Sequence, residues 1–210
     1  MNVLVTLITG GIIIYGIICI VTIMPWLKKR YNDCYAEPTQ KYTLTIDDMP
    51  DDAADEILDV LREFSCHAII FVIGSRIEKN ARILSRIIDE GHQLGNHSYT
   101  HYFYNPLSTH VLVTGFTMTD EVLATMKCAT LNIRSPHGYT TRGLLEWCRK
   151  EGKKFWYWDM ILMDFLPVPF FILRQQADRY IRRKGILCMH GRARSVRILR
   201  YICERIAYAQ

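Results

Sequence analysis

Residues 68–73 (AIIFVI) constrain the fold of this 210-residue chain more than any other stretch. Six consecutive apolar residues with no polar alternation suit a strand covered on both faces, the condition of a parallel sheet flanked by helices. Gly74 ends the run. The neighbouring patterns agree. Residues 41–47 (KYTLTID) alternate and are rich in Thr and Tyr, as a strand requires, and they lead into the carboxylate pair Asp47-Asp48. Residues 53–64 set Ile57, Leu58, Leu61 and Phe64 at helical spacing, and residues 76–90 carry Ile83, Leu84, Ile87 and Ile88 along one side before Gly91. Further helices are expected near 120–127, 142–151, 172–183 and 195–208, with strands at 155–158 and 186–189. Strands that alternate with helices in this way point to an α/β sheet or barrel, in which ligands meet the carboxyl ends of the strands.

The amino-terminal piece differs in chemistry. Residues 1–27 carry no charge, so all 26 Lys+Arg and 21 Asp+Glu lie behind them. Residues 3–24 are apolar or small, and 22 residues of helix span about 33 Å, enough to cross the hydrocarbon core. Pro25, Trp26 and Leu27 then precede Lys28-Lys29-Arg30, the order in which a spanning helix ends. A cleaved leader would want basic residues ahead of the run and a small-x-small site just behind it. The expectation is a single-pass membrane protein: an uncleaved anchor at 1–27, a juxtamembrane linker at 28–40 and one domain at 41–210. The basic cluster places that domain on the cytoplasmic side by the positive-inside bias. The seven cysteines include Cys19 in the anchor and show no C-x-x-C spacing, which suits reduced thiols. A net charge of +5 with no stacking motif gives no support to nucleic acid as a partner.

Polar residues gather where the strands end. His97-x-x-x-His101 is a pair that one helical turn would place on a single face, and a metal could bridge it, although the spacing alone is weak evidence. Asp47 and Asp48 on a regular strand would point to opposite faces. They converge only if the strand stops there, as Pro50 allows. Arg134, Asp164 and His190 taken singly say little.

Taken together, the ordered stretches TIDDMP (45–50), GNHSYTH (95–101), IRSPHG (133–138), WDMILMDF (158–165) and ILCMHG (186–191) resemble the NodB-like polysaccharide deacetylase family. That family's motifs run TFDDGP, H-S-x-x-H, R-P-P-Y-G, W-D-x-x-x-x-D-W and L-x-H. The resemblance reaches from Lys41 to the carboxyl end. It implies an α/β fold, a distorted (β/α) barrel; the sequence ends at Gln210, where members often add a strand, so an incomplete barrel is expected. It implies a hydrolase that removes N-acetyl groups from an N-acetylglucosamine-containing glycan with a divalent metal, usually zinc. Asp48, His97 and His101 would hold the metal, Asp47 would be the general base, and His190 the general acid. Arg134 would orient the base and Asp164 would hold Arg134 in turn. The backbone N–H of His137 would face the oxyanion. Met49 stands where the family has Gly, and a left-handed backbone there would be strained. Ser135, His137, Phe165 and Cys188 replace Pro, Tyr, Trp and Leu along the substrate groove, which leaves the glycan open. The alternatives are a deacylase of a small membrane-linked N-acyl sugar or other acylated amine, and a catalytically inactive glycan-binding relative.

Overall fold

The structure, a computed structural model, describes residues 30–37, 41–101 and 108–208. The proposed anchor at 1–27 lies outside these residues. No helix among the described residues is long and apolar enough to cross a membrane.

The chain alternates between strand and helix: β1 (Tyr42–Met49), α1 (Ala54–Glu63), β2 (Ala68–Val72), α2 (Gly74–Ile77), α3 (Ala81–Asp89), β3 (Gln93–Asn96), α4 (Thr109–Thr125), β4 (Asn132–Ile133), α5 (Arg142–Glu151), β5 (Lys154–Phe155), β6 (Met160–Ile161), α6 (Phe170–Arg183), β7 (Gly185–His190) and α7 (Ala193–Ala207). The strands form one parallel sheet in the order β5-β4-β3-β2-β1-β7-β6. Strands β5 and β6 follow one another in the chain yet sit at opposite edges. A flat sheet would hold them about 29 Å apart, six spacings of roughly 4.8 Å. The link from Phe155 to Met160 reaches at most about 18 Å. The sheet therefore curls into a half-barrel, open between β5 and β6.

Period two divides the strand side chains between two faces. Leu44, Ile46, Ile70, Val72, Leu187 and Met189 pack outward with Ile57, Leu58 and Leu61 of α1, Leu84 and Ile87 of α3, and Ile198, Leu199 and Ile202 of α7. The concave face holds Ile69, Phe71 and Ile186, in one cluster with Trp156, and also carries Thr45 and Asp47.

Several expectations shift. The helix expected over 76–90 is broken into α2 and α3 at Asn80, whose side chain bonds Arg76 O. The first turn of α2 is tied elsewhere, because Gly74 N–H donates to Ser98 O. Helix α4 begins eleven residues before the stretch expected, and the short strands β3, β4 and β6 had no pattern long enough to be seen. The domain also takes in residues 31–36, ahead of its expected start. Tyr31, Cys34 and Tyr35 are buried with Leu144, Leu145, Cys148 and Phe155, and Ala36 N–H donates to Phe155 O. The six described cysteines carry free thiols.

Candidate active site

The carboxyl ends of β1, β3, β4 and β7 surround a cavity of about 400 Å³ on the concave face. Asp47 and Asp48 both reach it, although β1 continues past them to Met49. The strand does not stop. Between Ile46 and Met49 it bulges, advancing three residues while β2 advances two from Ile70 to Val72, and Asp48 takes a left-handed backbone (φ 66°). That kink turns both carboxylates to one side. The left-handed position is Asp48 rather than Met49, so the expected strain at Met49 does not arise. Met49 is fully buried, and its thioether fills the space beside Gly191, where a Cβ would lie 2.6 Å from the sulfur.

His97 and His101 stand in the irregular segment after β3 and not on a helical turn. Ser98, also left-handed (φ 69°), is held by its N–H donating to Asn96 Oδ1, while His97 N–H donates to Val72 O. His97 Nδ1 lies 2.8 Å from the main-chain oxygen of Arg134. A carbonyl only accepts, so Nδ1 carries a hydrogen and Nε2 is the nitrogen that faces Asp48. Nε2 of His97 and Nε2 of His101 lie 3.5 and 3.2 Å from Asp48 Oδ1, a buried oxygen with no hydrogen-bond partner. Ligand atoms of all three residues fall within 4.8 Å of one another. Burial lowers the His101 pKa to about 4 despite the pull of Asp48, so this imidazole is neutral at pH 7. Burial pushes the Asp48 carboxyl up, but the imidazoles around it hold it well below the carboxylate range. Two imidazoles and a carboxylate whose ligand atoms converge around one orphaned oxygen are the donor set of an open divalent-metal site.

Arg134 is fully buried beside this cluster. Its Nη1 donates to Asp47 Oδ1 at 2.8 Å and Thr45 Oγ1 at 2.6 Å, Nη2 to Tyr157 O and Nε to Trp156 O. Its guanidinium lies over the Phe71 ring at 4.4 Å. Burial raises the Asp47 pKa, but Arg134 foremost, with His97 and His190, outweighs it and keeps this carboxyl anionic. Asp47 Oδ2 remains on the metal side, 3.9 Å from His97 Nε2, and accepts from the Cys188 thiol at 3.3 Å. Burial holds that thiol far above its ordinary pKa, so it stays protonated.

Asp164 does not hold Arg134 as expected. It accepts from His190 Nδ1 at 2.7 Å, from His190 N–H at 2.8 Å and from Ser195 Oγ at 2.7 Å. Strand β6 pairs with β7, so Asp164 just beyond β6 lands beside His190, while Arg134 comes from β4, on the far side of β1. Burial disfavours the charged imidazole of His190, yet the bond and charge of Asp164 prevail and raise its pKa. Asp47 and His190 are register partners on β1 and β7. His137 (φ 56°) lines the cavity with its ring 4.4 Å from that of His101, and Phe165 stands edge-on to His190 at 5.0 Å. Thr45 and Ser195 had not been singled out from the sequence. Only Thr45 left a signal there, two residues before Asp47 on the same strand face.

The family model for polysaccharide deacetylases matches residues 35–156, more than half of the chain. A peptidoglycan-N-acetylglucosamine deacetylase of Bacillus cereus is 30% identical over 147 residues, which cover 68% of this chain and 53% of that one. The peptidoglycan-N-acetylmuramic acid deacetylase PdaC of Bacillus subtilis is 35% identical over 135 residues, 62% of this chain and 27% of its own. The chain thus spans about half the length of the first of these relatives and about a quarter of the second. A crystal structure of a peptidoglycan N-acetylglucosamine deacetylase superposes with a TM-score of 0.75 at 24% identity, covering 83% of this chain and 86% of that one, and so shares the fold. The family match and the identity to these relatives together place the chain in the polysaccharide deacetylase family.

Proposed function

We propose that the protein is a metal-dependent hydrolase that removes N-acetyl groups from a glycan containing N-acetylglucosamine. One observation carries this reading: an open Asp48–His97–His101 set shares its cavity with an arginine-paired carboxylate, Asp47, and a carboxylate-backed imidazole, His190. The printed names of the relatives support the same substrate class. A divalent ion held by Asp48, His97 and His101, for which zinc suits the donor set, would supply an acidified water and positive charge beside the acetyl oxygen.

The protein's own groups do the rest. Arg134 fixes Oδ1 of Asp47, so Oδ2 is the oxygen left to take a proton from the attacking water. Asp164 holds Nδ1 of His190, which turns Nε2 toward the cavity with the proton that the departing amine needs. The main-chain N–H of His137 is assigned to the developing oxyanion. Phe165 lines the cavity against His190, and Cys188 lines it against Asp47.

Acetate release from N-acetylglucosamine oligomers, with and without added zinc, tests this. Asp47→Asn should keep zinc, because the ligand is its neighbour Asp48, and should lose about 10²–10⁴-fold in turnover. Near wild-type turnover by zinc-loaded Asp47→Asn would overturn the mechanism.

A further inference from the structure

Arg192 follows His190-Gly191 and caps α7 at the mouth of the cavity. Its Nη2 lies 3.5 Å from Asp48 Oδ2, and its side chain is 45% exposed. The two imidazoles address the other oxygen, Oδ1. The guanidinium therefore stands off the ion site and outside the buried Arg134–Asp47 pair. Once a dication neutralises Asp48, the charge of Arg192 has no carboxylate to answer among the described residues.

Its neighbours repeat the pattern. Arg194 and Arg197 are exposed near the start of α7 and pair with no carboxylate among the described residues. Arg194 donates to Val168 O at 3.4 Å, and Arg197 lies over the Phe170 ring at 3.9 Å. The first turn of α7 holds no acidic residue, and its N-cap makes no side-chain capping bond. Cations at a helix amino terminus oppose the helix dipole, and arginine supplies no acceptor for the orphan N–H groups. An anion arriving at the cavity mouth beside Arg192 would offset that cost.

We propose that Arg192 binds an oxyanion substituent of the substrate, a carboxylate or phosphate on the sugar bearing the acetamido group or on the next one, and so selects anionic N-acetyl sugars over neutral ones. The inference rests on the deacetylase reading above. Asp48 touches both the ion site and Arg192, which sets the reach of one or two sugars. A guanidinium suits either oxyanion by paired N–H donation.

The test compares wild type with Arg192→Gln and Arg192→Lys, all zinc-loaded. The substrates are an N-acetylglucosamine disaccharide, the disaccharide carrying N-acetylmuramic acid, and N-acetylglucosamine 1-phosphate. A charged hydrogen bond of this kind is worth roughly 10–100-fold. Arg192→Gln should lower the anionic-to-neutral ratio of kcat/KM by that factor, and Arg192→Lys should retain part of it. A drop confined to the muramic arm assigns a carboxylate, and one confined to the phosphate arm assigns a phosphate. An unchanged ratio, with all substrates depressed together and zinc affinity weakened in calorimetry, would make Arg192 a brace for Asp48 and overturn the proposal. If wild type releases acetate from none of the three, the deacetylase reading fails by itself. Calorimetric binding of the same sugars then decides: an anionic preference lost in Arg192→Gln upholds the proposal, and equal binding sinks it.

Discussion

At the scale of the residue, the site depends on a few buried charges and the groups that face them. Arg134 is the clearest case, because removing it leaves the largely buried carboxylate of Asp47 without its counter-charge. Breaking one half of such a pair costs about 3–5 kcal/mol, so Arg134→Met should lose that much stability in urea unfolding. His190 offers a test with a sign. Asp164 raises its pKa while burial opposes the charged form. The imidazolium is the proposed acid, so turnover should fall as pH rises through this raised value. In Asp164→Asn burial is opposed only by the charges of Asp47 and Asp48, and the alkaline limb of kcat/KM should move down by about 1–3 pH units. The same pair stabilises the fold fully below the ordinary histidine pKa of about 6.5, and that contribution is lost as pH climbs through the raised one. A limb that stays in place in Asp164→Asn would remove His190 from the acid's role. The sequence made the carboxylates and imidazoles legible because five ordered motifs carry them. It did not reveal that Asp164 serves His190, since a pairing across β6 and β7 depends on strand order, which no local pattern encodes.

At the scale of the element, the fold was legible wherever a run was long or periodic. Helix α5 occupies the stretch expected, and α1, α6, α7, β1, β2 and β7 lie within about two residues of it. The two-residue strands β4 and β6 hold too few side chains to show a period, and β5 takes only the start of the stretch expected at 155–158. Helix α4 was seen only in part because Gly115 and the threonines Thr109, Thr114, Thr117 and Thr119 interrupt the apolar stripe of its first half. That glycine has a purpose that only the packing displays. A Cβ at Gly115 would collide with Ser98 Oγ, and Ser98 sits between the two metal-site histidines in a left-handed turn. Gly115→Ala should therefore cost about 1–3 kcal/mol by overpacking, and it should weaken zinc affinity by shifting His97 and His101. Gly152 is the control. It is left-handed (φ 65°) with nothing within 4 Å of a built Cβ, so Gly152→Ala should cost about 1–2 kcal/mol of backbone strain and leave zinc affinity intact. Thermal unfolding and zinc calorimetry on both variants separate the two effects. Equal zinc affinities in the pair would show that α4 does not hold the histidine loop.

At the scale of the whole molecule, the question is whether the ion holds the fold or the fold holds the ion. Two clusters on the convex face of the sheet answer it. The larger packs α1, α3, α6 and α7 on the convex face, and the other joins α4 and α5 to residues 31–35; neither includes a metal-site side chain. The histidines and Asp48 hang instead on loop ends and a bulge whose backbone bonds, His97 N–H to Val72 O and Gly191 N–H to Asp47 O, are closed by the protein itself. A site built in this way needs no ion to form, unlike the closed structural zinc sites that fold only when loaded. Stripping the protein with a chelator should thus leave its far-ultraviolet circular dichroism unchanged. Adding zinc at one hundred times its Kd should then raise stability by about 2.7 kcal/mol, the mass-action value for a ligand that binds only the folded state. The His97→Ala, His101→Ala double variant should fold and show no such rise. Collapse of the dichroism on chelation would make the ion structural, and a zinc-dependent rise that survives in the double variant would place the site elsewhere.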